Sequence, residues 1–235
     1  MLIKGFVPLS LIDYPGKLSC ILFLYGCNIR CSYCQNPQLV LPSGVNTPNI
    51  EKETVMSFLE KRKGKLEGVV ISGGEPCINP DLPEFLSEIR SHGYSVKLDT
   101  NGLWPERLKK ILDEKLADYI AMDVKAPLQK YEKVVGVRMD SNKISQSIEM
   151  IKNSGINYEF RTTVVPRLLN EEDLMEIGET IKIADSYYLQ QFEPRGLLDP
   201  RFELVTPYPE EFFHMMKKKM APFAKKIGIR GMKQN

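Results

Sequence analysis

Short apolar runs of strand length alternate along this chain with stretches whose apolar residues recur at helical spacing. The run LSCILFLY at residues 18–25 is apolar on both faces, the pattern of a strand buried in a parallel sheet. Comparable runs follow at residues 66–71, 95–99, 119–123, 157–165 and 187–192. Between them, helical spacing predicts helices over residues 51–61, 81–91, 105–115, 141–153, 171–183 and 209–226. Several carry their own punctuation: Asn79 and Pro80 open the second helix and Gly93 follows it, Gly155 closes the fourth, and Asn170 caps the fifth. Residues 227–230 add a short extended piece.

Six strands alternating with six helices imply right-handed crossovers and a parallel sheet. A closed eightfold barrel typically needs about 250 residues, and this chain offers six units, so the expected fold is α/β, an open partial (β/α)6 barrel. A single domain over residues 1–235 is expected, with a core at about 18–195 and a C-terminal helical extension at 206–226. Ahead of the first strand, Pro15 and Gly16 supply the two central positions of a type II turn.

The polar residues fall in a pattern of their own. Each unusual polar cluster follows a strand: residues 26–37, Gly73 to Pro76, Asp99 to Gly102, Asp123 to Lys125, and Gln190 with Gln191. In parallel α/β proteins those positions share one face, where ligands bind.

Composition narrows the class. The 235 residues are 43% hydrophobic, and 32 basic against 30 acidic residues leave a net charge of +2, so no global field favours nucleic acid or an anionic membrane. The run Lys217 to Lys219 reads as the solvated face of a helix. No apolar stretch reaches the roughly 18–20 residues that cross a bilayer. The start, MLIKGFVPLS, lacks a signal peptide's apolar region, so a cytoplasmic protein is expected. Five cysteines, three of them on one loop, argue against a disulfide framework and for a reducing compartment.

That loop, GCNIRCSYCQNP, spaces Cys27, Cys31 and Cys34 as Cys-x3-Cys-x2-Cys. Structural zinc wants four closed ligands, and the remaining cysteines, Cys20 and Cys77, are isolated singles. A redox dithiol would use Cys31 and Cys34 and leave Cys27 unexplained. An iron-sulfur cube held by three cysteines uses all of them and leaves one iron open to a ligand. Cys20 and Cys77 read as packing thiols, Cys77 lying close to the expected site.

With Tyr33 just before the last cysteine, the loop resembles the signature of the radical S-adenosylmethionine (SAM) superfamily. IDYPGK (residues 12–17), GGEP, DTNG, MDVK and QQFEP extend the resemblance over most of the chain. The chain is most similar to activating proteins of anaerobic ribonucleoside-triphosphate reductases, relatives of the pyruvate formate-lyase activating enzyme. The resemblance implies a 4Fe-4S cluster on Cys27, Cys31 and Cys34, with SAM chelated to the open iron. Gly73 and Gly74 let backbone approach SAM closely, and Glu75 is expected to receive its ammonium. Asp99 and Asn101 correspond to the ribose-binding segment, and Lys125, beside Asp123, to a partner of the SAM carboxylate. Tyr33 is expected beside the adenine, and Gln35 and Gln191 complete the candidate contacts.

Asp99 and Asp123 would repel each other unless something positive lay between them. A monovalent cation near Asp99, Thr100 and Asp123 is one expectation; Asp123 as a loop cap is the other. Arg161 reads as a salt-bridge partner inside the barrel. The implied chemistry is reductive cleavage of SAM and removal of a hydrogen atom from a glycine of a partner enzyme, anaerobic ribonucleoside-triphosphate reductase or another glycyl radical enzyme such as pyruvate formate-lyase. A flavodoxin- or ferredoxin-type protein would supply the electron. Two other readings remain: a radical SAM enzyme acting on a small molecule, and a non-catalytic iron-sulfur electron-transfer module.

Overall fold

The apolar runs pair into one sheet of eight strands in sequence order: β1 (Ile3–Ser10), β2 (Ser19–Leu24), β3 (Gly68–Gly73), β4 (Ser95–Thr100), β5 (Tyr119–Asp123), β6 (Asn157–Val164), β7 (Ala184–Gln191) and β8 (Ala224–Arg230). The structure is a computed structural model and describes residues 1–232; the last three residues of the expected domain lie outside it. Strands β2 to β8 are parallel, whereas β1 runs antiparallel to β2. Among the described residues β1 and β8 do not pair, so the barrel is open, as expected.

The six predicted strands are β2 to β7. Two further strands flank them. β1 escapes the apolar-run criterion because Gly5 and Pro8 interrupt it and only Ile3 and Ser10 of its residues are buried, and its pairing is irregular around Pro8. Proline removes a ladder donor, so such a strand belongs at a sheet edge. β8 occupies part of the stretch expected as helix. That helix ends at Lys219, because Pro222 cannot continue it, and the extension is therefore a helix followed by a strand paired to β7.

Helices α1 (Lys52–Arg62), α2 (Leu82–Ser91), α3 (Pro105–Asp113), α4 (Tyr131–Val135), α5 (Asn142–Asn153), α6 (Glu171–Ile181) and α7 (Glu210–Lys219) connect the strands. Each of the longer ones buries one stripe. Leu82, Phe85, Leu86 and Ile89 of α2, and Ile144, Ile148 and Ile151 of α5, join the large apolar core with the outward face of the sheet. The caps are local. Asn170 accepts from the Asp173 amide at 3.0 Å, and Asp173 returns the bond to the Asn170 amide; this is the capping box at the start of α6. Asp81, not Asn79, stands at the cap of α2, and Asn79 donates instead to the Pro76 carbonyl.

A second, small apolar cluster of Tyr14, Ile21 and Val70 lies apart from the first. It gives the DYPGK turn a structural role. The Lys17 amide closes the turn onto the Tyr14 carbonyl at 3.2 Å, with Gly16 at φ +74°. The turn sets the Tyr14 ring over Gly68 of β3, where a Cβ would lie 2.8 Å from it.

Candidate active site

The loop after β2 and the carboxyl-terminal halves of β3 to β7, with the residues that follow them, line one cavity of about 300 Å³. Cys27, Cys31 and Cys34 line it, together with Tyr33 and Gln35 from the same loop. Ser72, Gly73 and Gly74 come from β3, Asp99 to Asn101 from β4, and Asp123 and Lys125 from β5. Arg161 and Thr163 come from β6, and Gln190 from β7. Cys20 and Cys77 are fully buried elsewhere. Burial pushes the Cys20 thiol up to about 12, and its place in the apolar core away from the cavity is that of a packing cysteine.

The cysteine loop has no regular structure of its own, so its shape is fixed by bonds to its neighbours. The Gly26 amide donates to the Leu39 carbonyl at 2.8 Å, and the Gly26 carbonyl accepts from the Glu75 amide at 2.8 Å. Arg30 donates from its backbone to the Val135 carbonyl and from its guanidinium to the carbonyls of Cys27 and Ile29. The far side is held by Leu198 and Asp199, whose amides donate to the Cys34 and Ser32 carbonyls at 2.9 Å each. Asn28, which carries no motif signal, accepts from Asn101 at 2.8 Å and ties the loop to the end of β4.

Among the described residues no three Cys, His, Asp or Glu side chains converge as the ligands of a single ion would. Zinc would require four donors at about 2.0–2.3 Å from one centre. A cube instead spreads its thiolates over separate irons. Burial pushes the Cys27 thiol up to about 12 and raises Cys31 as well, so loading these ligands releases protons. Tyr33 is buried and its hydroxyl has no hydrogen-bond partner among the described residues. It lies near the Cys31 thiol, on which it acts against the effect of burial. Thiols, an ammonium and carboxylates on one wall form a donor set suited to an iron-sulfur cluster and a zwitterionic ligand.

Glu75 sits differently from the expectation. It is absent from the cavity wall and fully buried. Its carboxylate accepts from the Cys77 amide at 3.0 Å, the Thr100 hydroxyl at 2.8 Å and the Asn101 amide at 2.6 Å. Burial raises this carboxyl, and the three donors act the other way. Its place is therefore to shape the loop carrying Thr100 and Asn101, while Gly73, Gly74 and Pro76 of the same segment line the cavity. Glu75→Gln sets an amide N–H against donors. We expect it to lower stability by about 1–3 kcal/mol, read from the denaturation midpoint of the cluster-free protein.

Gln191 is a second difference. Side chains alternate along a strand, and it is Gln190 that lines the cavity, while Gln191 donates to the Tyr208 carbonyl at 3.2 Å. Gln35 stands at the rim, donating to the Glu193 carbonyl at 3.4 Å.

The two carboxylates are brought together as expected, and the chain supplies the positive charge between them. Arg161 donates through Nε to Asp123 at 2.9 Å and through a terminal nitrogen to Asp99 at 3.4 Å. Lys97 pairs with Asp99, Lys125 pairs with Asp123 at 3.3 Å, and Ser72 donates to Asp99 at 3.0 Å. Burial opposes ionisation of Asp123, but Arg161 and Lys125 outweigh it and hold the carboxyl at about 2. Asp99 is lowered too, burial being overcome by Arg161 and Lys97. The sequence signal for Arg161 was its position: a lone arginine facing inward from a buried strand.

These shifts carry a pH sign. A folded value of about 2 lies below the ~3.9 of an unfolded aspartate. The stability from Asp123 is thus complete above pH ~4 and lost as pH falls through about 2. Asp123→Asn is expected to lower the melting temperature at pH 7 and to flatten its fall between about pH 4 and 2, measured on cluster-free protein.

Comparison with known proteins agrees with this geometry. A family model described as Radical SAM superfamily matches residues 21–181. A Methanocaldococcus jannaschii protein, provisionally named a glycyl-radical enzyme activating enzyme, is 39% identical over 217 residues, covering 89% of this chain and 87% of that protein. The pyruvate formate-lyase-activating enzyme of Streptococcus mutans is 29% identical over 214 residues, covering 85% of this chain and 80% of its own. Among solved structures, a domain of the pyruvate-formate lyase-activating enzyme from Bacteroides vulgatus superposes with a TM-score of 0.57 at 16% identity, over 70% of this chain and 99% of that domain.

Proposed function

Because the chain belongs to the radical SAM superfamily, we propose that it activates a glycyl radical enzyme, with anaerobic ribonucleoside-triphosphate reductase as its partner. The observation that carries this reading is the single cavity on which three thiols, an ammonium and two carboxylates from successive strand ends converge. The Methanocaldococcus jannaschii relative, similar over nearly the whole length of both chains, supports the substrate class.

Membership implies a 4Fe-4S cluster and SAM. In this reading Cys27, Cys31 and Cys34 hold the cluster and Lys125 faces the SAM carboxylate. Asp99 and Asn101 accept and donate to the ribose, Gly73 and Gly74 admit the ligand against their backbone, and Tyr33 stands beside the adenine. When bound, the reduced cluster and SAM supply methionine and a 5′-deoxyadenosyl radical that takes a hydrogen atom from glycine. The chain's own part is to orient that pair and exclude water. No acid-base pair is needed, and neither histidine lines the cavity. A flavodoxin- or ferredoxin-type donor and a cytoplasmic setting belong to the same reading; among the described residues no helix is long and apolar enough to cross a membrane. So does one domain spanning the chain.

A monovalent cation near Asp99, Thr100 and Asp123 has less to do once Arg161 lies between the carboxylates. If a cation is nevertheless bound, SAM cleavage rises on exchanging an inert large cation for sodium or potassium; indifference to both removes it from the site.

The partner is tested by mixing reduced protein and SAM with anaerobic ribonucleotide reductase or with pyruvate formate-lyase and recording electron paramagnetic resonance. A glycyl radical doublet on the reductase alone is expected. A doublet on pyruvate formate-lyase alone overturns the assignment of partner, and deoxyadenosine without a doublet on either directs the search to a small substrate.

A further inference from the structure

A chain of buried charges continues below the cavity wall, away from the motifs. Glu159, on β6 two residues before Arg161, is fully buried. It accepts from the Tyr119 hydroxyl at 2.9 Å. Its main partner is Arg230, near the end of β8, whose guanidinium meets both carboxylate oxygens at 2.5 and 2.8 Å. A two-pronged pair of this kind fixes direction as well as charge. The Arg230 guanidinium also lies 3.7 Å from the centre of the Tyr188 ring. Gly228 makes that arrangement fit, since a Cβ there would lie 2.4 Å from the same ring.

One oxygen of Glu159 lies 4.0 Å from the Arg161 nitrogen that bonds Asp99 at 3.4 Å. Arg161 therefore stands between two sets of carboxylates: Asp99 and Asp123 on the cavity wall, and Glu159 beneath them. Which set holds it depends on how far Glu159 is already satisfied. We propose that Arg230 is a positioning residue of the SAM site: by occupying Glu159, which would otherwise compete for Arg161, Arg230 leaves Arg161 free to hold Asp99 and Asp123 in the geometry that receives the ligand. The inference rests on the reading of this cavity as the SAM site. It extends that site to the last strand, outside residues 21–181 matched by the family.

Removing the Arg230 charge leaves a buried carboxylate short of a partner, and the nearest cation is Arg161. Drawn toward Glu159, Arg161 gives up its longer bond to Asp99. Arg230→Gln is thus expected to weaken SAM binding by about tenfold, the scale of coupling within one ionic network. Cluster content and turnover at saturating SAM change little, and Arg230→Lys restores part of the affinity. Glu159→Gln, which removes the competitor, keeps affinity within about threefold of wild type, and the double variant Glu159→Gln with Arg230→Gln recovers most of what the single variant loses.

The experiment titrates SAM into each reduced, cluster-loaded variant, follows the change in the cluster's paramagnetic resonance spectrum, and records a melting curve alongside. Wild type that fails to bind SAM overturns the reading of the cavity. Wild type that binds, with Arg230→Gln equal to it, overturns the inference alone. A double variant as weak as Arg230→Gln also overturns it, because a merely structural loss is not repaired by removing a second group. Should Arg230→Gln not fold, Arg230→Lys alone and with Glu159→Gln decides: a loss of affinity in the first that the second repairs supports the competition, and equal affinities in the two contradict it.

Discussion

Cys31→Ala is expected to remove the cluster and SAM cleavage together, whereas Cys20→Ala is expected to leave both in place. The contrast follows from position. Cys31 shares the cavity wall with Cys27 and Cys34, on a loop pinned from three sides by backbone hydrogen bonds. Cys20 lies in β2 with its side chain in the apolar core, fully buried, and does not face that cavity. A cube held by three thiolates has no protein ligand to spare, so iron content should fall to background in Cys31→Ala. Cys20→Ala trims one buried sulfur and costs about 1–2 kcal/mol of stability as a small cavity, with iron and activity retained. Iron and sulfide analysis after anaerobic reconstitution reads both. Loss of the cluster in Cys20→Ala would reassign the ligands.

Gly74→Ala is expected to be nearly as damaging, for a steric reason. A Cβ at Gly74 would lie 2.0 Å from the Gly26 carbonyl oxygen and 3.3 Å from the Cys27 Cβ. Neither neighbour is the end of a flexible side chain. The Gly26 carbonyl is also the acceptor for the Glu75 amide, so moving it breaks the bond that joins the two loops. The backbone at Gly74 is open to any residue, so the penalty is space alone. Destabilisation of about 2–3 kcal/mol and loss of cluster loading should appear together. Gly64→Ala is the control. Its φ of +74° strains an alanine but nothing lies within 4 Å, so a cost of about 1 kcal/mol should leave iron content unchanged.

Much of the scaffold was legible because buried parallel strands announce themselves as short two-faced apolar runs. LSCILFLY is read as a strand whatever surrounds it. The edges were only partly legible, since an edge strand is partly solvated: Gly5 and Pro8 hid β1, and the helix expected to run to residue 226 covered the start of β8, of which residues 227–230 were expected as extended. Pro222 was the missed signal, because proline ends a helix and β8 begins two residues later.

The candidate site divides along the same line. Residue types that chemistry demands, the three cysteines and the Asp99, Asp123 and Lys125 constellation, could be placed on one face from strand order alone. Which way a side chain turns could not. Gln190 and Gln191 differ by one step of the strand alternation, and the aim of Glu75 is set by Thr100 and Asn101. The Glu159–Arg230 pair joins residues 71 apart in the sequence, and its only sequence trace was the unremarked charge at each position.

The cysteine loop and the cavity it borders are expected to cleave SAM. The direct measurement is to reconstitute the protein anaerobically, reduce it, add SAM, and quantify methionine and 5′-deoxyadenosine by chromatography. Equal amounts of the two products, absent in Cys31→Ala, are the predicted result. A cluster-loaded, reduced protein that leaves SAM intact would contradict it and make this chain an electron-transfer module.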